Sequence, residues 1–377
     1  MNPFVASSGL SNANIRLAAC ECITPFGNTE ATFAALLQNQ IALQSLPVCG
    51  NTGDDLVPLA LFPGHALQST ASPRWLPVVQ KLLAPVSGSE WGTARRPIYI
   101  TSSNFCIGNL VAYQQTKDRA HLAYGSPALC VEWLRRELGW GRSITTFSHA
   151  CVSAHIGLLQ ASRAIQSGLA DEALVFTFDF LSPFVTGGFH ALKILNSNFP
   201  APYAAKATGS IGLGEGAGYT VLSRDRGEFA IKAQSHYNEL HHFTSNQPDG
   251  SGFRSCLGPL SEAAAGKRIW FKGHGTGTLD AARLEAETVS AIFPEAPLVG
   301  WKGSLGHTLG SCGIVELALA AAALRSGKTP GTVGTTHPTT LHNVATDAFD
   351  NTPFEGVVCA SNAFGGAHAA LLLTRHD

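Results

Sequence analysis

The sequence predicts an α/β protein made of two related halves, and three observations carry the prediction. Short apolar runs that do not alternate with polar residues recur along the 377 residues, the pattern of strands covered on both faces. Segments with apolar residues at helical spacing lie between them. There is also a rough twofold character. A cysteine opens a helix of small residues in the first half, and G-H-T-L-G-S-C-G from Gly306 opens a similar helix in the second.

Taken in order, the strand-like runs are P-I-Y-I-T from Pro97, A-L-V-F-T-F from Ala173, I-W-F from Ile269, P-L-V-G from Pro297 and G-V-V-C-A from Gly356. Helical spacing covers residues 151–167, stopped by Gly168, and also 285–293 and 313–324. Residues 47–96 are rich in Pro, Gly and Ser and read as a loop-rich insertion.

Composition sets outer bounds. Charged residues make up 14% and hydrophobic ones 45%, which predicts a large core or an apolar subunit interface. The formal net charge of −1 argues against a nucleic-acid partner. The 9 cysteines are scattered without a C-x-x-C pair, so neither a disulfide framework nor a zinc site is expected, and a reducing cytoplasm is. No apolar stretch reads as a membrane span, and the first residues lack the pattern of a signal peptide.

Three separated segments carry reactive side chains at strand-to-helix junctions: S-H-A-C-V-S-A-H around Cys151, F-K-G-H-G-T-G-T around His274, and W-K-G-S-L-G-H around Lys302 and His307. A thiol with two imidazoles forms the parts of an acyl-transfer site. Cys151 reads as a buried structural thiol or as a nucleophile whose pKa the helix start lowers. His149 and His155 read as packing or loop residues, and Cys151 with His155 as a weak metal pair; no metal is expected. In the loop from His274, the glycines permit close backbone approach, and Thr276 and Thr278 present hydroxyls on one side; a phosphate loop would need Gly-Lys-Ser/Thr. Lys302 beside His307 favours the neutral imidazole, or is a surface lysine with a capping histidine. Glu316 is exposed or tied into a polar network, and Cys312 packs. After Ser361, Gly365 and Gly366 make a tight turn where a backbone N–H beside Phe364 would join that of Cys151 in an oxyanion hole.

Together these segments resemble the β-ketoacyl synthases, condensing enzymes of the thiolase superfamily. C-I-T-P-F-G-N from Cys22, H-A-C-V-S-A, G-L-G-E-G-A-G from Gly212, the stretch from His242 to Gly250, H-G-T-G-T and K-G-S-L-G-H-T-L-G-S-C-G-I-V-E follow the family's order. The resemblance implies a thiolase-like five-layered αβαβα sandwich with two similar halves, residues 1–224 carrying the nucleophile and 225–377 carrying the histidines and lysine. It implies Cys151 as the acyl acceptor, His274 and His307 on the malonyl thioester carbonyl, Lys302 tuning the site and Glu316 supporting it. Thr276 and Thr278 would contact the phosphopantetheine arm, Phe364 would gate the acyl pocket and Phe189 would line it. The implied reaction is decarboxylative Claisen condensation without a bound cofactor. The implied partners are an acyl carrier protein and a second ketosynthase-like chain, identical or paralogous, docked beside F-T-F-D-F from Phe176. Lys193 is either a carrier-docking residue or a solvated surface lysine.

Three segments depart from the family pattern. F-T-F-D-F replaces A-G-G-x-E, P-Y-A-A-K-A-T-G from Pro202 replaces P-F-D-x-x-R-D-G, and Ala282 occupies an often acidic position, with Asp280 and Glu285 nearby. They imply a divergent branch of secondary-metabolite or aryl-polyene type. Two other readings are a chain-length-factor-like structural subunit, which would usually lack the nucleophilic cysteine, and a coenzyme A-dependent thiolase, which H-G-T-G-T and the second histidine oppose.

Overall fold

A computed structural model describes residues 15–67 and 75–375. Its principal sheet contains ten long-range strands: β1 (Arg16–Thr24), β2 (Ile98–Thr101), β3 (Ile144–Phe147), β4 (Glu172–Asp179), β5 (Gly216–Ser223), β6 (Phe229–Asn238), β7 (Ile269–Lys272), β8 (Leu298–Val299), β9 (Gly356–Ala363) and β10 (Ala367–Arg375). Their spatial order is β8-β7-β9-β10-β6-β1-β5-β4-β2-β3.

The twofold character is explicit in this order. Adding five to each strand number of the first half reproduces the second half. The strand directions repeat too: β2 is parallel to β3 and β4, and β7 is parallel to β8 and β9. The remaining neighbours in each half are antiparallel. The halves meet where β1 runs antiparallel to β6, registered only at Arg16↔Ala230 and Leu17↔Phe229. So short a seam lets the two sheets diverge and face each other.

Helices fill the space between them. The described helices used here are α1 (Leu76–Leu83), α2 (Ser153–Gln166), α3 (Pro183–Ala191), α4 (Ser251–Ala263), α5 (Leu279–Ile292) and α6 (Cys312–Ser326). Helices α2 and α6 pack on each other, α2 against β4 and β10, and α6 against β1, β5 and β9. Helix α1 covers the outer face of the first sheet, and α4, packed on α5, that of the second. The result is the thiolase-like αβαβα sandwich. Because α6 is enclosed by both sheets, it is buried on every side from Cys312 to Ala321. Gly327, at φ 76°, closes it.

Four expectations need correction. First, residues 47–96 are not only loop. Gln44–Pro47 pairs with Leu56–Ala60, and α1 buries Val79, Leu82 and Leu83. The flanking Pro, Gly and Ser hid a short amphipathic helix that carries Pro77 in its first turn. Second, the helix expected at 285–293 starts at Leu279, because Ala282 extends the buried stripe of Ala286 and Val289 toward its N-terminus. Third, F-T-F-D-F lies in β4, which β2 and β5 flank on both sides, so it has no free edge for a partner chain. The outermost strand of the first half is β3. Fourth, one segment, Leu309–Ser326, does have the length and apolarity of a membrane span, but 83% of it is buried inside the protein. It contains the central helix α6.

Candidate active site

The Cys151 turn lies between β3 and α2. Ala150 has φ 44°, a left-handed conformation that a non-glycine residue adopts only under local constraint. Ser153 supplies that constraint: its hydroxyl accepts the His149 N–H at 2.7 Å and donates to the Ala150 carbonyl at 2.6 Å. Cys151 is thereby held two residues ahead of α2, with its thiol turned into the space between the halves. Burial pushes that thiol well above its ordinary pKa, with Lys302 opposing the rise. The lowered pKa expected from the helix start is therefore overturned. Desolvation of the buried sulfur outweighs the helix end.

His307 lies opposite. Its Nε2 is 3.0 Å from Cys151 Sγ, and its Nδ1 accepts the Leu309 N–H at 3.2 Å. Accepting at Nδ1 puts the ring proton on Nε2, so this imidazole presents a donor to the sulfur. Leu309 reaches Nδ1 because it too is left-handed, at φ 55°. The segment before β5 braces the loop: His307 N–H donates to Gly212 O at 3.0 Å, and Gly214 N–H to His307 O at 3.1 Å. A Cβ on Gly214 would lie 2.0 Å from Leu305 O, so only glycine permits this approach.

His274 follows β7. Glu285, on α5, accepts N–H groups from His274 at 2.6 Å and Gly275 at 3.0 Å, and the Tyr203 hydroxyl at 2.6 Å. The His274 ring is 4.9 Å from that of His307 and nearly perpendicular to it. A donor atom of each histidine and the Cys151 sulfur all lie within 4.8 Å of one another. Burial lowers the pKa of both imidazoles well below its ordinary value, and Lys302 pushes in the same direction. Both rings are thus neutral near pH 7. Thr276 and Thr278 do share a side, their hydroxyls 2.8 Å apart.

Lys302 is not a surface residue. It lies on a single helical turn, Lys302–Leu305, and is 1% exposed. Its Nζ donates to Glu316 Oε1 at 2.7 Å, and Lys272 donates to Oε2 of the same carboxylate. Burial lowers the Lys302 pKa, but Glu316 more than offsets it and the net direction is upward. Burial leaves Lys272 lowered. Glu316 is thus the centre of a buried polar network, one of its two expected roles.

Beside Cys151, Ala363 packs in one cluster with Cys151 and Cys312. The next residue, Phe364, stacks on Phe189 of α3 with ring centroids 5.9 Å apart. Cys312 donates weakly to Cys151 O at 3.4 Å. His155 is buried on α2, four residues after Cys151, its pKa lowered to about 3 by burial and by Lys272. Lys193 is exposed.

Sequence reasoning missed four contributors. Lys272 was hidden by its place in an apolar strand. Tyr203 and Glu285 hold the His274 loop, and only the acidic residue near Ala282 hinted at this. Asp179, ending β4, accepts from Ser102 Oγ at 2.7 Å and Asn104 Nδ2 at 2.8 Å. Burial raises its pKa to about 6. It ties the loop after β2 to the site.

By donor type, Cys151, His274 and His307 would suit a soft divalent cation. The ammonium groups of Lys302 and Lys272, whose fields reach both imidazoles, oppose one. A thiol flanked by two neutral imidazole donors and backed by buried cations instead suits negative charge on a reacting oxygen or sulfur.

Comparison with known proteins agrees with this class. The family model described as "Beta-ketoacyl synthase, N-terminal domain" matches residues 140–227, and "Beta-ketoacyl synthase, C-terminal domain" matches residues 231–336. Together they cover just over half of the chain. The chain is 28% identical over 252 residues to 3-oxoacyl-[acyl-carrier-protein] synthase 2 of Coxiella burnetii, a match covering 60% of each chain. It is 26% identical over 301 residues to the tetracenomycin polyketide synthase ketoacyl synthase alpha subunit of Streptomyces glaucescens, covering 72% of this chain and 68% of that one. In fold it superposes on a ketosynthase in complex with its chain length factor from Xenorhabdus doucetiae, with TM-score 0.77, 21% identity and coverage of 97% and 98%. The chain belongs to the β-ketoacyl synthase family.

Proposed function

We propose that the protein is an active condensing enzyme that joins an acyl thioester to malonyl carrier protein by decarboxylative Claisen condensation. The observation that carries this reading is the Cys151–His307 pair, 3.0 Å apart, with the His307 proton fixed on Nε2 by Leu309. Cys151 sulfur attacks the acyl thioester. The carbon–sulfur bond to the carrier breaks, and the carrier leaves as a thiol with the proton that Cys151 gives up. The malonyl thioester then loses its carboxylate as carbon dioxide. The electron pair of the broken carbon–carbon bond moves onto the thioester carbonyl as an enolate, whose oxygen accepts from His307 and His274. The enolate carbon attacks the Cys151 thioester, the new carbon–carbon bond forms, and Cys151 departs as thiolate and takes up a proton from water in place of the one that left with the carrier thiol.

The remaining roles follow from position. Residues 1–224 supply the nucleophile and 225–377 the imidazoles and the buried cations. Thr276 and Thr278 line the arm of the carrier, and the Phe364–Phe189 stack closes the acyl side. The carrier protein docks near Lys193, and a second ketosynthase-like chain pairs through the open edge of β3. The departures from the family pattern favour a secondary-metabolite pathway. The nine unpaired cysteines suit a reducing compartment. Retention of Cys151 favours activity over a chain-length-factor role. Incubation with a panel of acyl-carrier thioesters, followed by intact mass and peptide mapping, should place the acyl group on Cys151. Absence of any acylated protein across the panel, with a stable complex formed by a ketosynthase paralogue, would assign the structural-subunit role instead.

A further inference from the structure

We propose that Lys272 is a positioning residue of the condensing site: it grips Glu316 from the oxygen opposite Lys302 and sets a surplus positive charge behind the paired histidines, which favours an anionic intermediate. This rests on the condensing function proposed above.

Charge counting is the first ground. Two ammonium groups share one carboxylate, and among the three side chains the largest exposure is 6%. A buried ion pair needs only one cation, and a second costs desolvation that no second carboxylate in contact with it offsets. The groups whose charges act with or on that of Lys272 confirm the imbalance. From α6 come Glu316 and Cys312, from the Lys302 turn Lys302, from β9 Cys359, and from α2 His155. His274 and His307 complete the set. Glu316 is the carboxylate that both ammonium groups touch; Glu285, whose charge also acts on Lys302, is bound instead to the His274 and Gly275 amides and to Tyr203. A strand residue there would pack more cheaply as Val or Ile, so stability alone does not account for a lysine.

Placement is the second ground. Lys272 ends β7, and two residues later the chain delivers His274 to the site. The His274 loop is therefore held at two points: its backbone by Glu285 and its root by Lys272 on Glu316. Through Glu316 the same contact reaches Lys302 and so the loop of His307. One carboxylate couples the two histidine loops, and Lys272 is the arm belonging to His274. The surplus charge adds to burial in keeping both imidazoles neutral, so that they offer donor N–H groups without a charge that would hold the malonyl carboxylate. It also attracts the negative charge that forms when carbon dioxide leaves.

The test compares the parent with Lys272→Met, which removes the charge and the contact, and Lys272→Gln, which keeps a donor to Glu316 without the charge. Histidine nitrogen resonances are followed against pH in the full-length protein, a readout independent of activity. In both variants two imidazoles should protonate at a pH about one higher than in the parent. The malonyl decarboxylation rate should fall about tenfold in kcat with little change in KM. Thermal unfolding and circular dichroism report whether Lys272→Met folds; if it does not, Lys272→Gln decides alone. Parental histidine titration in a folded variant overturns the inference. If the parent lacks decarboxylation while the histidines shift as expected, the condensing function fails and the electrostatic role of Lys272 stands.

Discussion

Glu285 is the residue whose loss should most clearly separate scaffold from chemistry. It is 2% exposed and accepts three hydrogen bonds, from the His274 and Gly275 backbone and from Tyr203. In Glu285→Ala those donors lose their acceptor in a site closed to water. A hydrogen bond to a charged group contributes about 1.5–3 kcal/mol, and an orphaned buried donor costs about 1–3 kcal/mol. Allowing for relaxation and non-additivity, the variant should lose about 3–6 kcal/mol, a large part of the ~5–15 kcal/mol that holds a typical domain together. Urea unfolding followed by circular dichroism measures it. A double-mutant cycle sharpens the test. Tyr203→Phe alone should cost about 1 kcal/mol, and much less in the Glu285→Ala background, because its partner is already gone. The decarboxylation rate of the folded fraction should fall as the His274 loop loosens. Stability within about 1 kcal/mol of the parent, or fully additive costs, would refute the view that this carboxylate holds the loop.

Other outcomes follow from the same geometry. His274→Ala and His307→Ala should each lower malonyl decarboxylation by roughly 10²–10³, the usual effect of a lost oxyanion donor, and normal rates in both would remove them from that step. His155 is held near a pKa of about 3 in the folded chain, below the usual 6.5. The unfolded chain therefore binds protons first, and stability present above about pH 6.5 should be lost as pH falls toward 3. His155→Gln should flatten that limb in urea titrations at several pH values, and an unchanged slope would count against it. At Gly157, a Cβ would lie 2.7 Å from Thr101 and 2.8 Å from Val175, so Gly157→Ala should destabilise by about 1–3 kcal/mol despite its better helix propensity. An unchanged melting temperature would show that α2 can shift off β2.

Reading the sequence recovered the elements whose signal is local. The strands starting near Ile98, Ala173, Ile269 and Gly356 are short apolar runs, and α2 and α6 combine helical spacing with a closing glycine. Strands such as β5 and β10 escaped because glycine and alanine carry little β signal on their own, and they are defined by neighbours distant in sequence. The same limit applied to the site. Cys151, His274, Lys302, His307 and Glu316 stand in recognisable surroundings. Lys272 looks like a polar break in a strand, and Tyr203 lies in a segment that departs from the family pattern. What links them is Glu316 and Glu285, residues 44 and 82 positions away in the chain, a relation only the fold creates.

The thiol pKa exposes a tension that the rest of the site resolves. A helix start usually favours thiolate, yet burial raises the Cys151 thiol because the sulfur lies between two sheets and beneath two imidazoles. An enzyme that held a permanent thiolate there would need a standing counter-ion at the sulfur. Instead the positive charge sits one layer back, on Lys302 and Lys272 around Glu316, where the field of Lys302 acts on the sulfur, and the group in contact with the sulfur is the neutral Nε2–H of His307. A neutral donor stabilises negative charge only while that charge exists, on sulfur during acyl transfer and on the enolate oxygen during condensation. Protonated histidines at the same positions would bind the malonyl carboxylate itself and oppose its loss. Burial of the site therefore keeps the resting thiol protonated and the imidazoles neutral, and the cationic pair behind them, through Lys302, opposes the thiol's rise and reserves its stabilisation for negative charge that a reaction step creates.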